Sequence, residues 1–267
     1  MLAIGSVYSN QPIGVFDSGV GGLSIWKEIH ELLPNESSIY LADSLNAPYG
    51  DKDKQTIIDL SVKNTELLLT RGCKLIVVAC NTATTNAISY LRTHYNVPFI
   101  GIEPATKPAA ITTQSKKIGI LATRGTLVSE LFINTSAKYR GDVEIIETIG
   151  EGLVPIIESG RLDDANALLK KYLNPMIESG VDNIVLGCSH YPFLQEQIKA
   201  MIPAGVTIID SGAAVAKQTK NMLETLQIRS TNDSRKIEFY TNSNLEVLDL
   251  FLDKIGVADF ESSYLNF

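Results

Sequence analysis

Two stretches of the chain share one grammar, and together they restrict the fold more than any other feature. Leu75-Ile-Val-Val-Ala-Cys-Asn-Thr-Ala-Thr-Thr85 is a continuous apolar run that stops in a cysteine and small polar residues, and Asn183-Ile-Val-Leu-Gly-Cys-Ser-His-Tyr-Pro192 does the same. A β-branched run of this length without alternation suits a strand covered on both faces, which is the environment of a parallel sheet between helices. At such a strand's carboxyl end ligands bind. Cys80 and Cys188 therefore stand as counterparts.

The rest of the chain extends the pairing. Ile118-Gly-Ile-Leu-Ala-Thr-Arg-Gly125 echoes Ile13-Gly-Val-Phe-Asp-Ser-Gly19, and Val206-Thr-Ile-Ile-Asp210 echoes Pro98-Phe-Ile-Gly-Ile-Glu103. The offsets agree: Ile13 to Ile118 is 105 positions, Cys80 to Cys188 is 108, and Ile100 to Ile209 is 109. Two copies of one α/β unit are expected, with strands and helices alternating in each. In the first, strand Ile13–Phe16 turns through Asp17-Ser-Gly-Val-Gly-Gly22 into a helix over Leu23–Leu33. Strand Ser38–Ala42 leads into the turn-rich Asp43–Gly50, and a long helix over Lys52–Arg71 stops at Gly72. A helix over Ala83–Arg92 follows Cys80. In the second copy, a strand over Val143–Glu147, a segment Leu153–Gly160 and a helix over Asp163–Glu178 precede Cys188. After a polar leader (Met1–Asn10) at one end and a polar linker (Arg229–Lys236) at the other, Ile237–Thr241 and a helix over Leu245–Ile255 form an αβ element without a mate. It can extend either sheet.

Composition excludes several function classes. The hydrophobic share is 45%, enough for a core, while the net charge of −7 offers no basic surface for nucleic acid or an anionic membrane. No apolar stretch reaches the roughly 18 residues of a membrane span, and the first ten residues lack the basic start of a signal peptide, so a cytoplasmic protein is expected. Three widely spaced cysteines do not make a disulfide framework.

Two equivalent domains facing each other would present two thiols to a shared cleft. A thiolate on one face of a carbon acid can remove its proton while a thiol on the other face delivers one, which inverts the centre. The helix after Cys80 points its positive end at that sulfur and is expected to favour the anion. Both thiols can also be read as buried packing residues, the ordinary fate of free cysteine, and Cys73, which lacks polar neighbours, is read that way. Asp17 and Ser18 suit a turn and helix cap; alternatively Ser18 and the amides of Gly19–Gly22 hold an anionic ligand while Asp17 pairs with an ammonium or aids a thiol. The same turn suggests a dinucleotide site with Asp43 on the ribose, although Ser24 stands where that fingerprint wants its third glycine. His190, two residues after Cys188, is placed to tune that thiol or carry its proton, whereas His30 and His94 lie on helices as packing residues. Zinc is not expected, because Cys188 and His190 lack companions to complete four ligands.

These motifs resemble the glutamate racemases of the aspartate/glutamate racemase family: Phe16-Asp-Ser-Gly-Val-Gly-Gly-Leu23, Ala42-Asp43 with Pro48-Tyr-Gly50, Ala79-Cys-Asn-Thr-Ala-Thr84, Pro98-Phe-Ile-Gly-Ile-Glu-Pro104 and Gly187-Cys-Ser-His-Tyr-Pro192. The resemblance implies a cofactor-independent isomerase that supplies D-glutamate for peptidoglycan, with Cys80 acting on D-glutamate and Cys188 on L-glutamate. It implies substrate binding by Asp17, Ser18, Tyr49, Gly50, Asn81, Thr82, Ser189 and His190, and auxiliary acid/base roles for Asp17, His190 and Glu158. It also implies two similar α/β domains around a cleft, with mostly parallel sheets, residues 1–107 and 219–267 forming one and 108–218 the other, and a homodimer. The chain departs from the family pattern in places: Gly150-Glu-Gly152 stands where a cysteine and proline are frequent, Ser189 replaces a commoner threonine, and Thr241-Asn-Ser243 replaces a frequent Thr-Ser-Gly. Racemisation of aspartate or a hydantoin, and a bilobal binding protein without turnover, are the other readings.

Overall fold

The strand Leu75–Val78 is fully buried, as an uninterrupted Leu-Ile-Val-Val run requires, and it lies inside a six-stranded parallel sheet. The structure is a computed structural model that describes residues 9–230, 235–258 and 260–267. Most of the polar leader and the middle of the polar linker lie outside these residues. In chain order the strands are β1 (Ile13–Asp17), β2 (Ser38–Ala42), β3 (Leu75–Val78), β4 (Phe99–Gly101), β5 (Lys117–Ala122), β6 (Glu144–Ile149), β7 (Asn183–Gly187), β8 (Thr207–Ile209), β9 (Ile237–Thr241) and β10 (Glu261–Tyr264).

Two sheets result, with every pairing parallel. The first runs β10-β9-β2-β1-β3-β4 and the second β6-β5-β7-β8. The order β2-β1-β3-β4 is thus repeated as β6-β5-β7-β8, which is the duplication anticipated from the offsets. In each copy the chain leaves the central strand to one side and returns on the other, so β1/β3 and β5/β7 are switch points with a crevice at their carboxyl ends. Asp17, Ser18 and Cys80 stand at the first crevice, and Thr123 and Cys188 at the second.

Local chemistry sets the helices. Asp53 caps Lys54–Thr70 by accepting the Thr56 N–H at 3.0 Å, and Gly72, at φ +77°, ends that helix with the left-handed turn glycine tolerates. Leu23–Leu32 buries Leu23, Ile25, Trp26 and Ile29, and the helices Gly212–Thr225 and Leu245–Ile255 pack against it. The unmated C-terminal element joins the first sheet, β9 pairing with β2 from Ser38↔Ile237 to Ala42↔Thr241. Several helices are not legible in the pattern. Thr106–Thr112 and Arg124–Leu127 are too short for a period to register, while Glu130–Ala137 is announced only by its Ser129 cap, which accepts the Phe132 N–H at 3.3 Å. Edge strand β10 (Glu-Ser-Ser-Tyr) has no apolar alternation, because it lies mostly exposed with a single neighbour. Among the described residues no helix is long and apolar enough to cross a membrane.

Candidate active site

Asp17 ends β1 completely buried, and its carboxylate collects the Gly19 N–H at 3.2 Å, the Gly22 N–H at 3.0 Å and the Ser189 hydroxyl at 3.0 Å. The Val20 N–H donates to Glu158 Oε1 at 2.7 Å. The glycine-rich turn is an anion-binding nest, as its composition suggests, but two of the protein's own carboxylates occupy it. The expectation that these amides hold a ligand is corrected for Gly19, Val20 and Gly22. Close approach explains the glycines: a Cβ on Gly19 would lie 1.9 Å from Glu158 Oε1, and one on Gly21 would lie 2.2 Å from His190 Nδ1. With those side chains packed on the turn, a pyrophosphate has no room there. Asp43 is not free for a ribose either, since Tyr49, Asn46, Lys63 and Asn242 all donate to it.

Cys80 follows β3 and caps the helix Asn81–His94, its sulfur accepting the Ala83 N–H at 3.4 Å while the thiol donates to Ser18 Oγ at 3.7 Å. The helix amide does favour the anion, yet burial, reinforced by the Asp17 charge, dominates and pushes the Cys80 thiol well above its ordinary value. The helix acts on Cys80 in the expected direction but is outweighed. Cys80 rests as a thiol.

Cys188 follows β7, with His190 Nδ1 at 3.8 Å from its sulfur. The other ring nitrogen of His190 meets Glu158 Oε1 at 2.5 Å, and Asp17 Oδ2 is 3.9 Å from Nδ1. Burial alone would lower the His190 pKa; the contacts with Cys188 and Glu158 and the Asp17 charge outweigh it and hold the value well above that of a free imidazole. These contacts favour the protonated ring. Burial raises Asp17 in turn, the nearby His190 opposing it.

Ser18, Tyr49, Gly50, Cys80, Asn81, Thr82, Cys188, Ser189 and His190 line one cavity between the two sheets' strand ends. Asp17 and Glu158 stand directly behind it, bonded to Ser189 and His190. Asn81 is 2% exposed, and both its amide nitrogen and its amide oxygen lack a partner. Such a group is costly unless something else satisfies it. Tyr49 presents no free hydroxyl, which donates to Asp43 and accepts from Asn64 Nδ2 at 3.0 Å.

Sequence reasoning missed Thr123 and Val154, which also line the cavity. Thr123 bonds Thr82 hydroxyl to hydroxyl at 2.8 Å across the two units. The offset of 105 that pairs Ile13 with Ile118 also pairs Ser18 with Thr123, so the signal was present in the repeat. Cys73 is buried in the first sheet's core with its thiol pushed up to about 12, by burial first, in keeping with a packing role. His30 stacks on Trp26 and His94 on Tyr90, at 4.7 and 3.8 Å between ring centroids.

Residues 13–219 match the family model described as Asp/Glu/Hydantoin racemase. A glutamate racemase of Herpetosiphon aurantiacus is 44% identical over 238 residues, covering 88% of this chain and 94% of the relative. Among solved structures, glutamate racemase isoform RacE1 of Bacillus anthracis superposes with a TM-score of 0.86 at 29% identity, over 96% of this chain and 98% of its own. The Escherichia coli glutamate racemase, solved with L-glutamate and the activator UDP-MurNAc-Ala, gives 0.82 at 32% identity over 94% and 98%.

Proposed function

The chain belongs to the Asp/Glu/hydantoin racemase family, and from that premise we propose that it interconverts L- and D-glutamate by a two-thiol acid/base reaction without a cofactor. The observation that carries this reading is the lining of one cavity by Cys80 and Cys188, each at the carboxyl end of the equivalent strand in its own sheet. L-Glutamate loses its α-proton to Cys188 as thiolate, with the His190 imidazolium as charge partner held by Glu158. The Cys80 thiol gives its proton to the opposite face of the same carbon, and the reverse reaction exchanges the roles. The raised Cys80 pKa suits the donor role. Acid/base groups contribute about 10²–10⁴ in rate, so positioning and electrostatics must supply the remainder.

The unpartnered Asn81 amide can donate to a substrate carboxylate and accept from an ammonium, with Ser18, Thr82, Ser189 and the Tyr49-Gly50 backbone completing the binding set. The cavity has about 10 Å³ of free volume, roughly one water, so glutamate enters by separation of the two units. We assign residues 1–107 with 219–267 to one unit and 108–218 to the other, and place the enzyme in the cytoplasm as a homodimer supplying peptidoglycan synthesis. The activator UDP-MurNAc-Ala on the Escherichia coli relative supports the link to peptidoglycan synthesis.

Incubation of either enantiomer in D₂O, without added cofactor, is expected to deuterate the α-carbon as the circular dichroism of the sample decays to zero. Optical rotation that persists with no exchange overturns the reading. Aspartate and hydantoins in the same assay decide the substrate, and turnover of one of them in preference to glutamate corrects it.

A further inference from the structure

Thr241 and Asn242 sit at a buried junction outside the cavity lining. Asn242, 2% exposed, follows β9 in the C-terminal element. Its amide oxygen accepts the Leu45 N–H at 2.9 Å, and its nitrogen donates both to Asp43 Oδ1 and to the Phe267 carbonyl at 3.2 Å. Asp43, fully buried at the end of β2, accepts in turn from the Tyr49 hydroxyl, and Lys63 ties Asp43 Oδ1 at 3.3 Å to the Phe267 carbonyl at 3.2 Å. Tyr49 and the next residue, Gly50, line the cavity, and Gly50 abuts Thr123 of the other unit.

We propose that Asn242, supported by Lys63, is a positioning residue: it grips the Asp43–Gly50 loop at Leu45 and at Asp43, and through the Asp43–Tyr49 bond sets the Tyr49-Gly50 backbone for substrate. The inference rests on the racemase reading of the same cavity. Its physical basis is the full use of one amide. A buried carboxylate and a buried N–H are each expensive to leave unpaired, so the loop and the C-terminal strand stay in register only while one group serves both. A serine hydroxyl in its place would have a single proton and could not donate to Asp43 and to the Phe267 carbonyl together. Asn242 and Lys63 do not line the cavity, so their influence is transmitted through Tyr49 and Gly50.

The test is a steady-state comparison of wild type, Asn242→Ala, Asn242→Ser and Lys63→Met with both enantiomers of glutamate, alongside thermal melting. Loss of ground-state and transition-state binding together raises KM at constant kcat. Asn242→Ala is expected to raise KM for both enantiomers about tenfold with kcat within about twofold, Asn242→Ser about threefold, and Lys63→Met by a similar or smaller factor. Wild-type KM in the folded variants, whatever their melting temperature, overturns the proposal; if Asn242→Ala does not fold, wild-type KM in the other two does so. Should wild type bind glutamate without racemising it, the function reading fails and the same comparison is made on Kd by calorimetry. Failure of wild type to bind glutamate removes both.

Discussion

The two halves of the site share a backbone plan and differ in chemistry. Both present a cysteine after the third strand of a β2-β1-β3-β4 order, and both place a hydroxyl after the central strand, Ser18 in one and Thr123 in the other. Around Cys80 the partners are neutral, Ser18 Oγ and the Ala83 amide. Around Cys188 stands the His190–Glu158 pair, and the residue two positions beyond Cys80, matching His190, is Thr82. Asp17 serves both sides at once, raising Cys80 electrostatically and bonding Ser189, whereas its counterpart in the second copy is Ala122. Duplication supplies the two positions that the proposed inversion needs. Divergence of the polar neighbours makes one thiol rest protonated beside hydroxyl and amide and gives the other the His190–Glu158 pair.

Replacing the sulfurs tests the shared plan most severely. Cys80→Ser and Cys188→Ser are each expected to lower racemisation in both directions by 10³-fold or more, since removal of either stops proton delivery or abstraction. They should differ in the half-reaction that survives: solvent deuterium entering only one enantiomer's pool. Normal turnover by Cys188→Ser would dismiss the two-thiol scheme.

Glu158→Gln probes the divergent part. It removes the carboxylate at 2.5 Å from His190 Nε2 and is expected to reduce kcat by about 10–10²-fold. The sign of the pH effect follows from the raised His190 pKa: the imidazolium persists as pH rises past the free-imidazole value, and its contribution is lost only as pH climbs through the raised value. Without Glu158 that loss should move to lower pH, leaving Cys188 and Asp17 as the titratable groups facing the ring. A kcat–pH profile with an alkaline limb identical to wild type would show that Glu158 does not hold the proton on His190.

The mildest comparison sets the repeat mates against one another. Ser18→Ala removes the acceptor of the Cys80 thiol and is expected to cost about tenfold in kcat with D-glutamate; Thr123→Ala, which breaks a bond to Thr82, should raise KM by about fivefold, in line with one hydrogen bond. Equal and identical effects would mean that the two hydroxyls kept one role after duplication.

Several features were legible before folding because they are local. A Leu-Ile-Val-Val run can hardly be anything but a covered strand, a glycine turn after a strand leads into a helix, and equal spacing exposes a repeat; residue order alone therefore determined the paired thiols, the parallel sheets and most residues lining the cavity. What required tertiary structure depends on distances between residues far apart in the chain. The occupants of the glycine turn's amides, Asp17 and Glu158, come from both units. The protonated state of Cys80 follows from burial, which a helix-end argument made on ten residues cannot include. The C-terminal element chose the first sheet, where Asn242 meets Asp43 across 199 positions of sequence, because hydrogen-bond partners and desolvation are properties of neighbours in space.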